Sequence, residues 1–79
     1  MNKKIVELLA EVFGLRESEI HPELTKKDVG SWDSLKQMDL VMTLEREFDI
    51  VIEIADIQRM VSVADILAVL KEKGVAVEA

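Results

Sequence analysis

The chain contains no cysteine and a single histidine among its 79 residues. Without cysteine there are no disulfides, no thiolate metal site and no cysteine nucleophile. One histidine excludes the multi-histidine sites of zinc enzymes. Long apolar runs are also missing. The start, MNKKIVELLAEVFG, is basic, but Glu7 and Glu11 interrupt its apolar residues, so it reads as an amphipathic helix rather than a signal peptide or a membrane span. A soluble, cytoplasmic protein is the expectation. Length limits the plan further: one domain over residues 1–79, a modest core, and no room for separate cofactor and substrate domains.

Positive charge is scarce. Ten Lys and Arg against sixteen Asp and Glu give a net charge of −6, which argues against a nucleic-acid backbone as partner. The excess is local. Residues 1–27 and 57–79 are each balanced, whereas residues 28–56 hold eight acids against Lys36 and Arg46. Lys3, Lys4, Lys26 and Lys27 have acids nearby and read as solvated charges, not as a membrane or nucleic-acid patch.

Three stretches carry helical periodicity. Ile5, Leu8, Leu9 and Val12 follow i, i+3, i+4, i+7, and Gly14 is placed to end that helix in a left-handed cap with Leu15 folding back. Val63, Ile66, Leu67 and Leu70 repeat the spacing after a Ser62/Asp65 capping pair, with Lys71, Lys73 and Gly74 at the finish. The middle helix runs from about Asp33 to Phe48. Gln37, Leu40, Val41, Leu44 and Phe48 share its core arc, while Leu35, Met38 and Met42 lie on a second apolar face about 120–180° away from Leu44.

The connections are less regular. Residues 15–32 form a long link with Leu15, Ile20, Leu24, Val29 and Trp32 as anchors. Residues 50–54 alternate like a strand, but a lone strand has no pairing partner, so they are expected to be extended and to plug Ile52 and Ile54 into the bundle. Ile57, Met60 and Val61 predict a short helix. The expected fold is all-α, a small bundle of three longer helices and one short one.

Chemistry concentrates at DVGSWDSL, residues 28–35. Ser34 enters the middle helix where unpaired N–H groups make the local field positive, which favours an attached phosphate ester. Alternatively Ser34 is simply the N-cap, with Gln37 as its capping-box partner. Similarly, Met38 and Met42 are either a soft contact surface or the edge of the core. Trp32 is either a loop anchor or part of a partner surface. A Ser34–His21 hydrolase is imaginable but lacks an orienting acid and an oxyanion site. An EF-hand starting at Asp28 fails because Gly30 and Trp32 fall on ligand positions, and no metal site is expected.

The DSL tripeptide opening a helix that continues LVMTLEREFDI resembles the acyl carrier protein family, including polyketide and peptidyl carrier domains. The likeness covers nearly the whole chain: FGL ending the first helix, DVG ending the loop, Leu44-Glu45, Phe48-Asp49, Ile52 and Ser62-Val63 fall in order. It implies a non-catalytic carrier, expected to be monomeric. Ser34 would be esterified with 4′-phosphopantetheine from coenzyme A, whose thiol holds acyl or aminoacyl groups as thioesters. Asp33 and Leu35 match positions presented to the phosphopantetheinyl transferase. Met38 and Met42 match apolar docking positions, and Asp39, Glu45 and Glu47 match in part the acidic helix that meets basic patches on loading and transfer enzymes. A short acyl chain sheltered inside would meet Leu40, Leu44, Ile52, Ile57 and Met60. The pathway could be fatty-acid, polyketide or peptide synthesis. Trp32 before Asp33, Lys36 and Arg46 within the acidic helix, and the apolar Ile50, Val51 and Ile54 after it look more like specialised free-standing carriers. The reading from another class is an unmodified helical interaction domain using the Leu35/Met38/Met42 face.

Overall fold

Asn2 starts the first helix. Its Oδ1 accepts from the Lys4 N–H at 2.8 Å, supplying one of the acceptors a helix start lacks. A computed structural model describes residues 1–78 and places α1 at Lys3–Phe13, α2 at Ser34–Phe48, α3 at Ile54–Arg59 and α4 at Val63–Glu72. A single 3-10 turn, Glu17–Glu19, lies in the loop after α1, and no strand occurs among the described residues. The all-α bundle of three longer helices and one short helix is the predicted one.

The ends of α1 and α2 need left-handed backbone. Gly14 adopts φ 68° and lets the Leu15 N–H return to Ala10 O at 2.9 Å. At the end of α2 the same conformation falls on Asp49, φ 52°, a residue whose short polar side chain tolerates it.

Residues 20–32 hold their place by burial and by capping α4. Ile20, Leu24, Val29 and Trp32 are buried, while Leu15 is half-buried. Leu24 O accepts from the Val63 N–H and Pro22 O from the Ala64 N–H, each at 2.9 Å. These are first-turn donors that α4 cannot satisfy internally. Ser62 Oγ takes a third, from Asp65 N at 3.1 Å, and the Asp65 carboxylate reaches back to Val61 N at 3.3 Å. The expected Ser62/Asp65 pair is present in one half, the Ser62 cap, while the Asp65 carboxylate bonds the Val61 N–H in place of that of Ser62. A long loop and a helix start therefore satisfy each other.

The core is assembled from one face of each long helix. Ile5 and Leu9 of α1, Leu40 and Leu44 of α2, and Val63, Ile66 and Leu70 of α4 are fully buried, together with Met60. One expectation fails in the connection after α2. Ile52 is buried, but Ile54 is 75% exposed and opens α3 instead of plugging the bundle. The short helix thus begins three residues earlier than the apolar spacing of Ile57, Met60 and Val61 suggested. Its start is set by polar chemistry: the Asp56 carboxylate accepts from Glu53 N at 3.3 Å, which the apolar pattern does not report.

Candidate functional site

The Ser34 turn is fixed by its neighbours. Ser31 Oγ donates to Phe13 O at 3.0 Å, tying the loop to the last turn of α1. The Trp32 N–H bonds Val29 O at 3.0 Å, and the Asp33 N–H bonds Ser31 O at 2.9 Å. Trp32 itself is buried, its ring centroid 4.5 Å from that of Phe13. Of the two uses open to it, the structure assigns the anchor.

Asp33, not Ser34, caps α2. Its Oδ1 accepts from Lys36 N at 2.9 Å, and its carbonyl accepts the first intrahelical bond, from Gln37 N. Ser34 is one residue further on, the first helical position, and is exposed. The alternative of Ser34 as cap with Gln37 as capping-box partner is therefore excluded. Both neighbours are of cap-forming types, and the helix start is set by Asp33, whose carboxylate takes the N–H three residues on.

Gln37 has a different task. Among the described residues it is the sole buried polar one, with Oε1 accepting from Trp32 Nε1 at 2.6 Å. Its Nε2 donates to Ile57 O at 2.9 Å and to Met60 O at 3.1 Å, at the end of α3. Sequence reasoning placed Gln37 on the core arc but missed this role. The signal was available: a buried amide and a buried indole N–H both require partners.

The second apolar face of α2 is exposed. Leu35, Met38 and Met42 are 82%, 48% and 61% accessible, so they are not core edge. Val51 and Ile54, beyond the end of α2, are also exposed and were not anticipated as surface.

The acids are less free than a count of charges suggests. Asp39 lies 3.9 Å from Lys36 Nζ, and Glu47 lies 3.8 Å from Arg46 Nε. Glu45 is half-buried, and its Oε2 accepts from the Ile52 N–H at 2.9 Å, so this carboxylate holds the loop after α2.

Beside Ser34 a cleft of about 440 Å³ is lined by Ser31, Asp33, Leu35, Lys36 and Asp39. A larger one of about 570 Å³ lies between α1 and α2 and is lined largely by charged groups, including Lys4, Glu7, Arg46 and Glu47. The expected acyl-chain residues sit elsewhere: Leu40, Leu44 and Met60 are fully buried, Ile52 nearly so, and Ile57 is half-buried. His21 is exposed and faces Glu23 at 3.3 Å, an acid of its own loop.

These features fit a covalently attached, phosphate-linked group. Ser34 is exposed at the positive end of a 15-residue helix, and Lys36 sets a cation in the adjoining cleft beside the carboxylates of Asp33 and Asp39. The Asp33 carboxylate, which would repel a phosphate, is turned onto the Lys36 N–H.

Residues 3–70 match the family described as "Phosphopantetheine attachment site". Among curated relatives, the chain is 41% identical over 69 residues to an acyl carrier protein of Exiguobacterium sp. (strain AT1b), covering 87% of each chain. It is 33% identical over 70 residues to an acyl carrier protein of Thermotoga maritima, covering 89% of this chain and 86% of that one. With an acyl carrier protein of Nitratidesulfovibrio vulgaris it shares 34% identity over 74 residues, 92% and 96% of the two chains. In fold it is similar to the solution structure of a holo acyl carrier protein from Geobacter metallireducens. The TM-score is 0.79 at 24% identity, over 89% of this chain and 80% of that one.

Proposed function

The chain belongs to the acyl carrier protein family, whose prosthetic group is 4′-phosphopantetheine, and from that premise we propose that Ser34 is the residue to which the group is attached. The observation that carries this reading is the exposed hydroxyl at the first position of α2, between the cap Asp33 and the exposed Leu35. When bound, the group supplies a thiol, which this cysteine-free chain lacks, to hold acyl or aminoacyl units as thioesters.

Asp33 orders the first turn and, with Leu35, presents Ser34 to a phosphopantetheinyl transferase. Leu35, Met38 and Met42 form the apolar contact for the transferase and for loading and acyl-transfer enzymes, since exposed Met side chains adapt to several surfaces. Asp39 and Glu47 add weaker charge complementarity to basic patches. Glu45, expected in the same role, is reassigned to the loop it holds. Residues 1–79 act as one carrier domain without catalysis of its own. Lys36 and Arg46 each stand beside an acid of α2, so its surface is closer to neutral than the acids alone imply. This favours a dedicated, specialised biosynthetic partner over a general fatty-acid synthase.

The test is intact mass after incubation with coenzyme A and a broad-specificity phosphopantetheinyl transferase. The wild type is expected to gain one phosphopantetheine unit and Ser34→Ala none. A gain that survives in Ser34→Ala overturns the site. No gain with several transferases overturns the carrier reading in favour of an unmodified interaction domain using the same apolar face.

A further inference from the structure

The seam between α2 and α3 is closed by a polar latch. Gln37 stands one turn beyond Ser34 and is 6% exposed. Its amide oxygen holds the Trp32 indole N–H, and its amide nitrogen holds both Ile57 O and Met60 O. No side chain within Ile54–Arg59 is fully buried and Ile57 packs against the core only half-buried, so the apolar grip of α3 is limited. At its C-terminal end Ile57 O accepts from the Met60 N–H at 3.2 Å and takes a second donor from Gln37, while Met60 O takes its donor from Gln37.

An alkyl chain can replace none of these bonds. To pass from Ser34 into the bundle between α2 and α3 it would have to part Gln37 from Ile57 and Met60. That would leave the Gln37 amide, the Trp32 indole N–H and Met60 O unpaired in an apolar setting, with Ile57 O keeping only the Met60 N–H at 3.2 Å, and unmade buried hydrogen bonds cost more than made ones contribute. Nor is space waiting behind the latch: Leu40, Leu44 and Met60 are each at 0% exposure.

We propose that Gln37, held by Trp32, is a specificity-determining residue that keeps cargo outside the bundle, so that this carrier favours short or polar acyl and aminoacyl groups over long unsubstituted alkyl chains. The inference rests on the reading that Ser34 carries the prosthetic group. It makes the interior shelter expected from the family likeness a poor site in this chain.

The experiment uses the holo protein loaded with acetyl, octanoyl and dodecanoyl groups, with methyl resonances and thermal unfolding as readouts. In the wild type the Leu40, Leu44 and Met60 methyl signals are expected to stay in place along the series, with Tm constant to within about 2 °C. In Trp32→Phe/Gln37→Met the two side-chain groups of the latch are gone, and only the backbone carbonyls remain. There Tm should rise by about 4 °C or more from acetyl to octanoyl, with the same methyl signals shifting, as binding within the folded state requires. Methyl shifts and a rising Tm in the wild type overturn the proposal, and that measurement stands even if the double variant does not fold. A folded double variant that is indifferent to chain length overturns the assignment to Gln37. Intact mass keeps the cases apart: a protein that accepts no prosthetic group on Ser34 overturns the carrier reading and this inference together.

Discussion

Glu45 illustrates how a residue can match a recognition position and be committed elsewhere. Its Oε2 takes the Ile52 N–H at 2.9 Å, while its backbone oxygen accepts from Ile50 N at 3.3 Å, so both ends of the residue shape the turn that follows α2. A hydrogen bond to a charged group contributes more than one between neutral groups. Glu45→Ala is therefore expected to lower stability by about 1–2 kcal/mol in urea unfolding, and Glu45→Gln by less, because an amide oxygen can still accept. Asp39→Ala, at an exposed pair 3.9 Å apart, should stay within about 0.5 kcal/mol of wild type. Equal effects at the two positions would return Glu45 to the docking surface. The same distinction limits what the sequence reveals at this scale. That Ser34 lies at a helix start was legible from DSL, but which of two neighbouring cap formers takes the Lys36 N–H depends on backbone angles. That Gln37 faces the core was legible from its place on the wheel; its partners in α3, 20 and 23 residues away, were not.

At the scale of elements, the long helices were readable because their periodicity is a local property of the chain. α3 was readable only in part, because it contributes little apolar surface and is held by polar contacts. On one side is the Gln37 amide. On the other, Arg59 makes a two-pronged pair with Glu72 of α4, at 2.9 and 2.8 Å, and Lys73 Nζ lies 2.9 Å from Asp56. The hydrogen bond from Lys73, followed by that from Glu53 N, holds the Asp56 carboxyl below its ordinary value, and Arg59 does the same for Glu72. Lys73 is correspondingly raised, first by its hydrogen bond to Asp56. The signs give the window. A depressed carboxylate contributes stability above its unfolded pKa, about 4, and loses it as pH falls through the lower folded value. A raised lysine contributes below its unfolded pKa, about 10.4, and loses it as pH rises through the higher folded value. The α3–α4 attachment is thus complete between roughly pH 5 and 10. Amide hydrogen exchange compared by opening free energy at pH 7 and pH 3 should show α3 loosening more than α1. Uniform change across both helices would contradict a latch specific to α3.

For the whole molecule, the net charge of −6 is carried by residues 28–56, yet the α2 surface proposed to meet partners is not uniformly acidic. Along α2, Lys36 sits by Asp39 and Arg46 by Glu47, and Glu45 is turned to the loop, leaving Leu35, Met38 and Met42 as the continuous exposed feature. Magnitudes decide which matters more in docking. Burying a methionine side chain is worth about 1.5–3 kcal/mol, whereas an exposed ion pair is worth about 0.2–1 kcal/mol. Met42→Ala is therefore expected to lower kcat/KM for loading by the cognate enzyme about tenfold, with little dependence on salt. Glu47→Lys should act through encounter, lowering the same parameter by about threefold to tenfold at low ionic strength. That deficit should fade near 1 M salt, where the Debye length is about 3 Å. Circular dichroism on both variants guards against loss of fold, since neither side chain is buried. A salt-insensitive Glu47→Lys effect, or a Met42→Ala protein loaded at the wild-type rate, would place the docking surface on another face. The exposed Val51 and Ile54 beyond α2 would be the next to substitute.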